Sequence, residues 1–278
     1  MAGAPPAVSV MLLASESGET MKTIAMFALA AMIAAAAVAE VKSKVIEYRD
    51  GDVVLEGYLA WDDAFKGPRP GVLIVHQWMG VSANERLRAG QLAALGYVAF
   101  AADVYGKGVR PASTEEAGAL AGRYKGDRAL LRSRVAAGLA ELKRQPLVDG
   151  RRTAAIGYCF GGTAVLELAR SGAEVAGVVS FHGGLDSPNP AEGKNIRTKL
   201  LVLHGADDPF VPAADIAAFQ QELRQAGVDW QMIYYSGAVH AFTQKEAGSD
   251  DSRGAAYNER ADRRSWQAMR DFFAEIFG

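Results

Sequence analysis

The chain has one cysteine, and its surroundings are typical of a nucleophile. Cys159 lies in the stretch GYCFGG, residues 157–162, between an apolar run (TAAIG) and a helical one (TAVLELAR). A nucleophile between spaced glycines, where a strand turns into a helix, sits on a tight turn that a larger neighbour would obstruct. The helix N-terminus then favours the thiolate, which is the reactive form of cysteine. The backbone N–H of Phe160 would face a developing oxyanion. The alternative is a buried, inert cysteine.

The two partners that a thiol nucleophile needs follow later in the chain. The stretch HGADDPFVP, residues 204–212, follows a predicted strand and offers Asp207 or Asp208. The stretch GAVH follows the next predicted strand and ends at His240. A histidine base that a carboxylate orients is what activates a thiol, and the order Cys, Asp, His is that of α/β-hydrolases. The sequence therefore predicts a catalytic triad, although a lone Asp is often a turn residue.

The elements that must position these residues alternate between strand and helix. An antiparallel hairpin is predicted over residues 43–61, around Asp50-Gly51. The later strands are predicted at 67–77, 97–103, 153–157, 175–183, 199–208 and 229–237. The helices are predicted at 82–96, 113–144 (with a possible break at Gly126-Asp127), 163–172, 212–227 and 254–277. We expect one α/β domain with a mostly parallel central sheet, flanked by helices and begun by the hairpin.

In such a sheet the site lies beyond the carboxyl ends of the strands. That rule directs attention to His76, Gln77, Trp78, Asp103, Cys159, His182, Asp207, Asp208 and His240. His182 is assigned a structural or pocket role. Tyr105 is a candidate for an apolar pocket wall, with a core position as the alternative. The four histidines include no close pair of the H-x-x-x-H kind, so no metal site is predicted. No cofactor is implied.

The chain from residue 40 onward resembles the dienelactone hydrolases along nearly its whole length. The resemblance is clearest in residues 71–108 and in the stretches GYCFGG, HGADDPFVP and YSGAVHAF. A cysteine in place of the usual serine of α/β-hydrolases is its specific mark. The resemblance implies the α/β-hydrolase fold, with Cys159 as nucleophile and His240 as base.

The same resemblance refines the other site residues. It places the acid at Asp208 rather than Asp207, because the shared register is H-G-x-x-D-x-x-V-P. It places the second oxyanion donor at the backbone N–H of Trp78. An arginine that binds the substrate carboxylate in the family would correspond to Arg123, for which a surface helix position is the alternative.

Three positions depart from the family pattern. Gln77 replaces the glutamate that helps to ionise the family's cysteine, and an amide cannot take the thiol proton. Ala241 and Gln244 replace a serine and a carboxylate-binding arginine. Losing a charge-assisted contact weakens recognition of a carboxylate. Neutral esters, thioesters or lactones are therefore the expected substrates, and dienelactone itself is not assigned.

The beginning of the chain predicts export. From Met21 a lysine, an apolar run and Ala37-Val38-Ala39 follow in the order of a signal peptide, with cleavage after Ala39. The run is short and weakly apolar for a membrane anchor. Residues 1–20 resemble no targeting segment, and we interpret them as an extension that precedes the true start at Met21. The mature domain would span residues 40–278 and reside in the periplasm or outside the cell.

The composition leaves two classes of function open. With 30 Lys and Arg against 32 Asp and Glu, the formal charge is −2, and nothing favours nucleic acid or an anionic membrane as partner. We expect a hydrolase, monomeric, that cleaves an ester or lactone through an acyl-cysteine intermediate. The alternative is a ligand-binding or thiol redox-sensing protein on the same scaffold, because Gln77 replaces the activating glutamate.

Overall fold

The computed structural model describes residues 40–278, which form an eight-stranded sheet with helices on both faces. The strands are β1 (Val41–Asp50), β2 (Val53–Asp62), β3 (Arg69–Val75), β4 (Val98–Ala102), β5 (Val148–Tyr158), β6 (Gly177–Phe181), β7 (Lys199–Gly205) and β8 (Trp230–Tyr235). The α-helices are α1 (Ala83–Ala94), α2 (Thr114–Gly126), α3 (Arg128–Lys143), α4 (Phe160–Arg170), α5 (Ala213–Ala226) and α6 (Glu259–Phe277).

The strand order is β1-β2-β4-β3-β5-β6-β7-β8. The hairpin β1–β2 is antiparallel and closes at Gly51, whose φ of +57° suits a residue without a side chain. Strand β2 pairs antiparallel with β4, and all pairs from β4 to β8 are parallel. The predicted α/β-hydrolase fold, with its initial hairpin, is therefore confirmed.

The central strands are buried on both faces, which explains their continuous apolar sequence. In β3, Leu73 and Val75 face one apolar cluster, together with residues of α2 to α5. Val72 and Ile74 face the other cluster, with α1 and α6. Because neighbouring residues of a strand point to opposite faces, one short apolar run supplies both cores.

Local signals set the ends of several helices. Ser82 and Glu85 form a capping box at the start of α1, and Gly96 follows its end with φ +93°. The predicted break near Gly126-Asp127 is present, since Asp127 ends α2 and its side chain caps α3 at the Leu130 N–H.

The last helix begins later than predicted. It starts at Glu259 rather than at residue 254, with Asn258 as its N-cap. The preceding residues are drawn away from the helix because His240 N–H donates to Gly254 and Ala256 N–H donates to His240. The segment therefore clamps the loop that carries His240.

The assignments made for residues 1–20 and 21–39 lie outside the described residues. The helices of residues 40–278 include none with the length and apolar content needed to cross a membrane.

Candidate active site

The turn at Cys159 joins β5 to α4 and is strained. Its φ of 54° and ψ of −116° are unfavourable for a residue with a side chain. The glycines around it cannot be replaced by larger residues, because the neighbouring backbone is too close. A Cβ on Gly157 would lie 2.0 Å from the Gly161 carbonyl oxygen, and one on Gly161 would lie 2.1 Å from the Val75 oxygen. The chain therefore accepts strain at the one position where the thiol must project from the sheet.

Three side chains from three loops meet at this turn. The Sγ of Cys159 lies 3.1 Å from Nε2 of His240, and Nδ1 of His240 lies 2.8 Å from Oδ2 of Asp208. The Asp208 side chain is fully buried, and its Oδ1 accepts the Phe210 N–H. Asp207 instead accepts the Gly237 N–H and closes the neighbouring turn. Of the two aspartates in HGADDPFVP, Asp208 is the one in contact with His240.

The electrostatics of the site favour an ion pair. Burial alone would raise the pKa of the Cys159 thiol, but His240, the Phe160 N–H and Lys125 together lower it below its usual value. Burial alone would lower the pKa of His240, whereas Cys159 and Asp208 raise it to about 10. Each partner stabilises the charged form of the other. The arrangement can therefore hold a thiolate beside an imidazolium.

Two backbone N–H groups from different elements are candidates for binding an oxyanion. The Phe160 N–H, at the start of α4, is oriented toward the Cys159 sulfur. The Trp78 N–H lies in the turn after β3 and has no acceptor within residues 40–278. A free backbone N–H is the kind of donor that holds the oxyanion of a tetrahedral intermediate.

Hydrogen bonds from two buried side chains fix the turn that carries Trp78. The ring of His76 bridges two backbone groups, accepting the Val104 N–H and donating to the Gln77 carbonyl. Tyr105 donates its hydroxyl to the Trp78 carbonyl at 2.9 Å. These contacts fix the peptide group that carries the Trp78 N–H and the peptide group that follows it.

Two of the predicted pocket residues are buried in the structure. Tyr105 is buried, with its ring against His76 and Phe160, so it supports the turn rather than lining an open pocket. His182 is completely buried because its ring packs beneath the site, between Cys159 and Thr243. Neither presents a surface to substrate.

The other two predicted pocket residues differ in burial. Arg123 is exposed on α2, and its guanidinium lies over the ring of Tyr124. It therefore occupies the surface helix position that was its alternative. Gln77 is nearly buried, and its Oε1 accepts the Met79 N–H. The amide thus closes its own turn, and it makes no hydrogen bond to Cys159 in the described part of the chain.

Two residues at the site were missed by sequence reasoning. Lys125 favours the thiolate through its charge, yet a lysine on an exposed helix has no sequence signature. Oγ1 of Thr243 lies 2.8 Å from Nε2 of His182. Only its place three residues after His240 could have suggested Thr243 from the sequence. No group of three or more His, Cys, Asp or Glu within residues 40–278 is arranged to hold a metal.

Comparisons with known proteins identify the family. The model of the dienelactone hydrolase family matches residues 55–277. The solved structure titled m3DLH is 42% identical, with a TM-score of 0.83, and covers 86% of this chain and 99% of its own. The dienelactone hydrolase-like promiscuous phosphotriesterase P91, from metagenomic libraries, is 42% identical with a TM-score of 0.82 over the same shares.

A relative known from its sequence gives the same result. A Synechocystis protein with the provisional name carboxymethylenebutenolidase is 29% identical over 84% of this chain and 97% of its own length. The family match covers most of the chain and includes every strand from β3 to β8. The chain therefore belongs to the dienelactone hydrolase family and is a hydrolase of the ester- and lactone-cleaving kind.

Proposed function

We propose that the protein hydrolyses neutral carboxylic esters or lactones through an acyl-cysteine intermediate. The observation that carries this is the continuous contact from Asp208 through His240 to Cys159, at 2.8 and 3.1 Å. A carboxylate, an imidazole and a thiol in that order form a complete nucleophile with its base and orienting group.

In the first half-reaction the Cys159 thiolate attacks the carbonyl carbon. The carbonyl electron pair moves to oxygen, where the N–H groups of Phe160 and Trp78 stabilise the negative charge. When the tetrahedral intermediate collapses, the carbon–oxygen bond to the alcohol breaks, and the His240 imidazolium gives its proton to the leaving oxygen. In the second half-reaction His240 takes a proton from water as the water oxygen attacks the acyl carbon. The carbon–sulfur bond then breaks, which releases the carboxylic acid and restores the thiolate and the imidazolium.

The substitutions at three positions favour a neutral substrate. The amide of Gln77, the methyl group of Ala241 and the amide of Gln244 supply no charge that would bind a carboxylate. Phe210 is 59% exposed and meets the His240 ring edge-on, with centroids 5.5 Å apart. Its exposed ring offers an apolar contact beside the reacting atoms.

The test is hydrolysis of p-nitrophenyl butyrate and γ-butyrolactone by the wild type and the Cys159→Ala variant. We expect the variant to fold normally and to lose essentially all turnover. Rapid acid quenching of the wild type with the nitrophenyl ester should show the mass of one butyryl group on Cys159. Turnover that survives in Cys159→Ala would refute the proposal.

Two other functions are distinguished by the same experiment. A binding protein would bind ester without turnover or adduct, and a redox sensor would form a sulfenic acid on Cys159 without an acyl adduct. The family match does not favour either.

Phosphotriesters are a second substrate class to test, because the structure titled a promiscuous phosphotriesterase is 42% identical to this chain. A thiolate can attack phosphorus as it attacks carbon and displace nitrophenolate. The same N–H donors would stabilise the negative charge that develops on the phosphoryl oxygen. A phosphoryl adduct on Cys159 after incubation with a p-nitrophenyl phosphotriester would support this class, and absence of both adduct and nitrophenol would exclude it.

The export signal is a separate part of the proposal. Cleavage after Ala39 would leave every described element intact, since β1 begins at Val41. All residues of the proposed site come from one chain, so a monomer suffices. Expression of the full sequence in a bacterium should release a protein whose N-terminal residue is Glu40 into the periplasm or medium. A cytoplasmic product that retains residues 21–39 would contradict export.

A further inference from the structure

Backbone strain marks three loops that meet at the thiol. Within residues 40–278, the non-glycine residues with positive φ are Cys159 at 54°, His182 at 40° and Ala241 at 58°. Cys159 follows β5, His182 follows β6, and Ala241 lies next to His240 in the loop after β8. Such conformations persist only where the surroundings hold them. His182 is the residue that touches both of the other loops.

One nitrogen of His182 holds the nucleophile. The backbone N–H of Cys159 is shared between the Phe181 carbonyl, at 3.0 Å, and Nδ1 of His182, at 3.1 Å. Because Nδ1 accepts a hydrogen bond, it carries no proton, and the neutral ring must carry its proton on Nε2.

The other nitrogen holds the loop of the base. Nε2 of His182 lies 2.8 Å from Oγ1 of Thr243, so its proton is donated to that hydroxyl. The main chain of Thr243 is anchored in turn, since its carbonyl accepts from the guanidinium of the buried Arg88. The His182 ring also packs edge-on against His240, with centroids 5.3 Å apart.

The surroundings keep His182 neutral. Its side chain is completely buried, and the charged or titratable groups near it are His240, Arg88 and His204. Burial first, and then these neighbours, hold the pKa of His182 well below its usual value. The hydrogen-bonding pattern is therefore constant over the working range of pH.

We infer that His182 is a positioning residue, which sets the distance between the Cys159 sulfur and the His240 nitrogen by tying the two loops together through Thr243. This inference rests on the proposed function. It assigns His182 no contact with substrate and no proton transfer.

The test compares two buried threonines. Thr243→Val removes the hydroxyl that His182 reaches, whereas Thr153→Val removes a buried hydroxyl without a hydrogen-bond partner. The readouts are the pH dependence of iodoacetamide labelling at Cys159, and kcat and KM for the nitrophenyl ester. We expect Thr243→Val to raise the labelling midpoint by about 0.5–1 pH unit. A pKa shift of that size corresponds in free energy to the loss of about one hydrogen bond. Its kcat should fall roughly 5–10-fold with little change in KM, because loss of one hydrogen bond is worth about that factor.

A double-mutant cycle separates positioning from a merely structural role. His182→Asn keeps an acceptor near the Cys159 N–H but cannot reach Thr243. Its effect should match that of Thr243→Val, and the double variant should be no worse than either single one. If Thr243→Val behaves like Thr153→Val, or if the two effects add, the inference is wrong. Labelling needs no turnover, so this result stands apart from the Cys159→Ala test of the proposed function.

Discussion

Helix α4 carries a buried cluster of charged groups at each end, and the two clusters are built for different purposes. At its N-terminus Cys159 meets His240, which in turn meets Asp208. At its C-terminus Arg170 donates to both oxygens of Glu222, at 2.8 Å each, and to Glu167 at 2.9 Å. Each cluster agrees with the helix dipole, with an anion at the start and a cation at the end.

The difference lies in which protons can move. The guanidinium of Arg170 stays protonated at any working pH, so the C-terminal cluster is a fixed ion pair that ties α4 to α5. In the N-terminal cluster, the pKa of the thiol is lowered and that of the imidazole is raised, so a proton can pass between them. Burial of charge alone therefore does not mark an active site. The decisive feature is a pair of groups whose protonation states are exchangeable.

The largest effect is expected at the orienting carboxylate. In Asp208→Asn the amide oxygen can still accept the Phe210 N–H, which leaves the amide NH₂ facing Nδ1 of His240. The histidine then carries its proton on Nε2 and cannot accept one from the thiol. We expect kcat to fall by roughly 10³–10⁴-fold with the melting temperature nearly unchanged. Asp207→Asn is the matched control and should retain full activity, and equal losses in both variants would contradict this assignment.

The other end of α4 should respond in stability and not in chemistry. Arg170→Met leaves Glu222 buried without its cation, whereas Glu167 keeps its contact with Arg132, and the loss should lower the free energy of unfolding by about 3 kcal/mol. Urea titration measures this loss. The exposed pair of Lys107 and Glu47 supplies the control, since Lys107→Met should leave the free energy of unfolding nearly unchanged. A shift in the pH profile of Cys159 labelling in Arg170→Met would mean that the two clusters are coupled.

How far the sequence predicted these clusters depends on how local their signals are. The elbow at Cys159 needs glycines at fixed spacing, and an aspartate and His240 each follow a strand, so a triad could be proposed from the chain alone. The choice of Asp208 over Asp207 came from the family resemblance. Arg170 and Glu222 lie 52 positions apart on two amphipathic helices, where a charged residue is ordinarily exposed. Nothing local distinguishes them.

The same reasoning explains why the role of His182 stayed open and why the start of the last helix was misplaced. His182 follows a strand as the site residues do, and sequence alone could not show that its ring turns inward to the Cys159 backbone. The last helix begins late because residues 254–256 bond to the His240 loop, which is a long-range contact.

The smallest effect concerns strain in the elbow. Because φ at Cys159 is 54°, glycine should be tolerated better than alanine there. We expect Cys159→Gly to be more stable than Cys159→Ala by about 1 kcal/mol. At position 217, which is exposed in a helix, alanine should instead be more stable than glycine. Ala217→Gly should lower the free energy of unfolding by about 1 kcal/mol. Equal stabilities of the two Cys159 variants in urea would show that the turn stores no strain.

The most direct test of the central claim is the pH dependence of iodoacetamide labelling at Cys159, in the wild type and in His240→Gln. In the wild type the thiolate should persist above its lowered pKa and the imidazolium below its pKa of about 10. Labelling should therefore rise at a pH below the ordinary thiol value of about 8.5. In His240→Gln the cation is lost and burial raises the thiol pKa, so labelling should begin only near or above the ordinary value of about 8.5. Identical profiles that both rise near that ordinary value would mean that His240 does not activate the thiol, and the account of the site would be wrong.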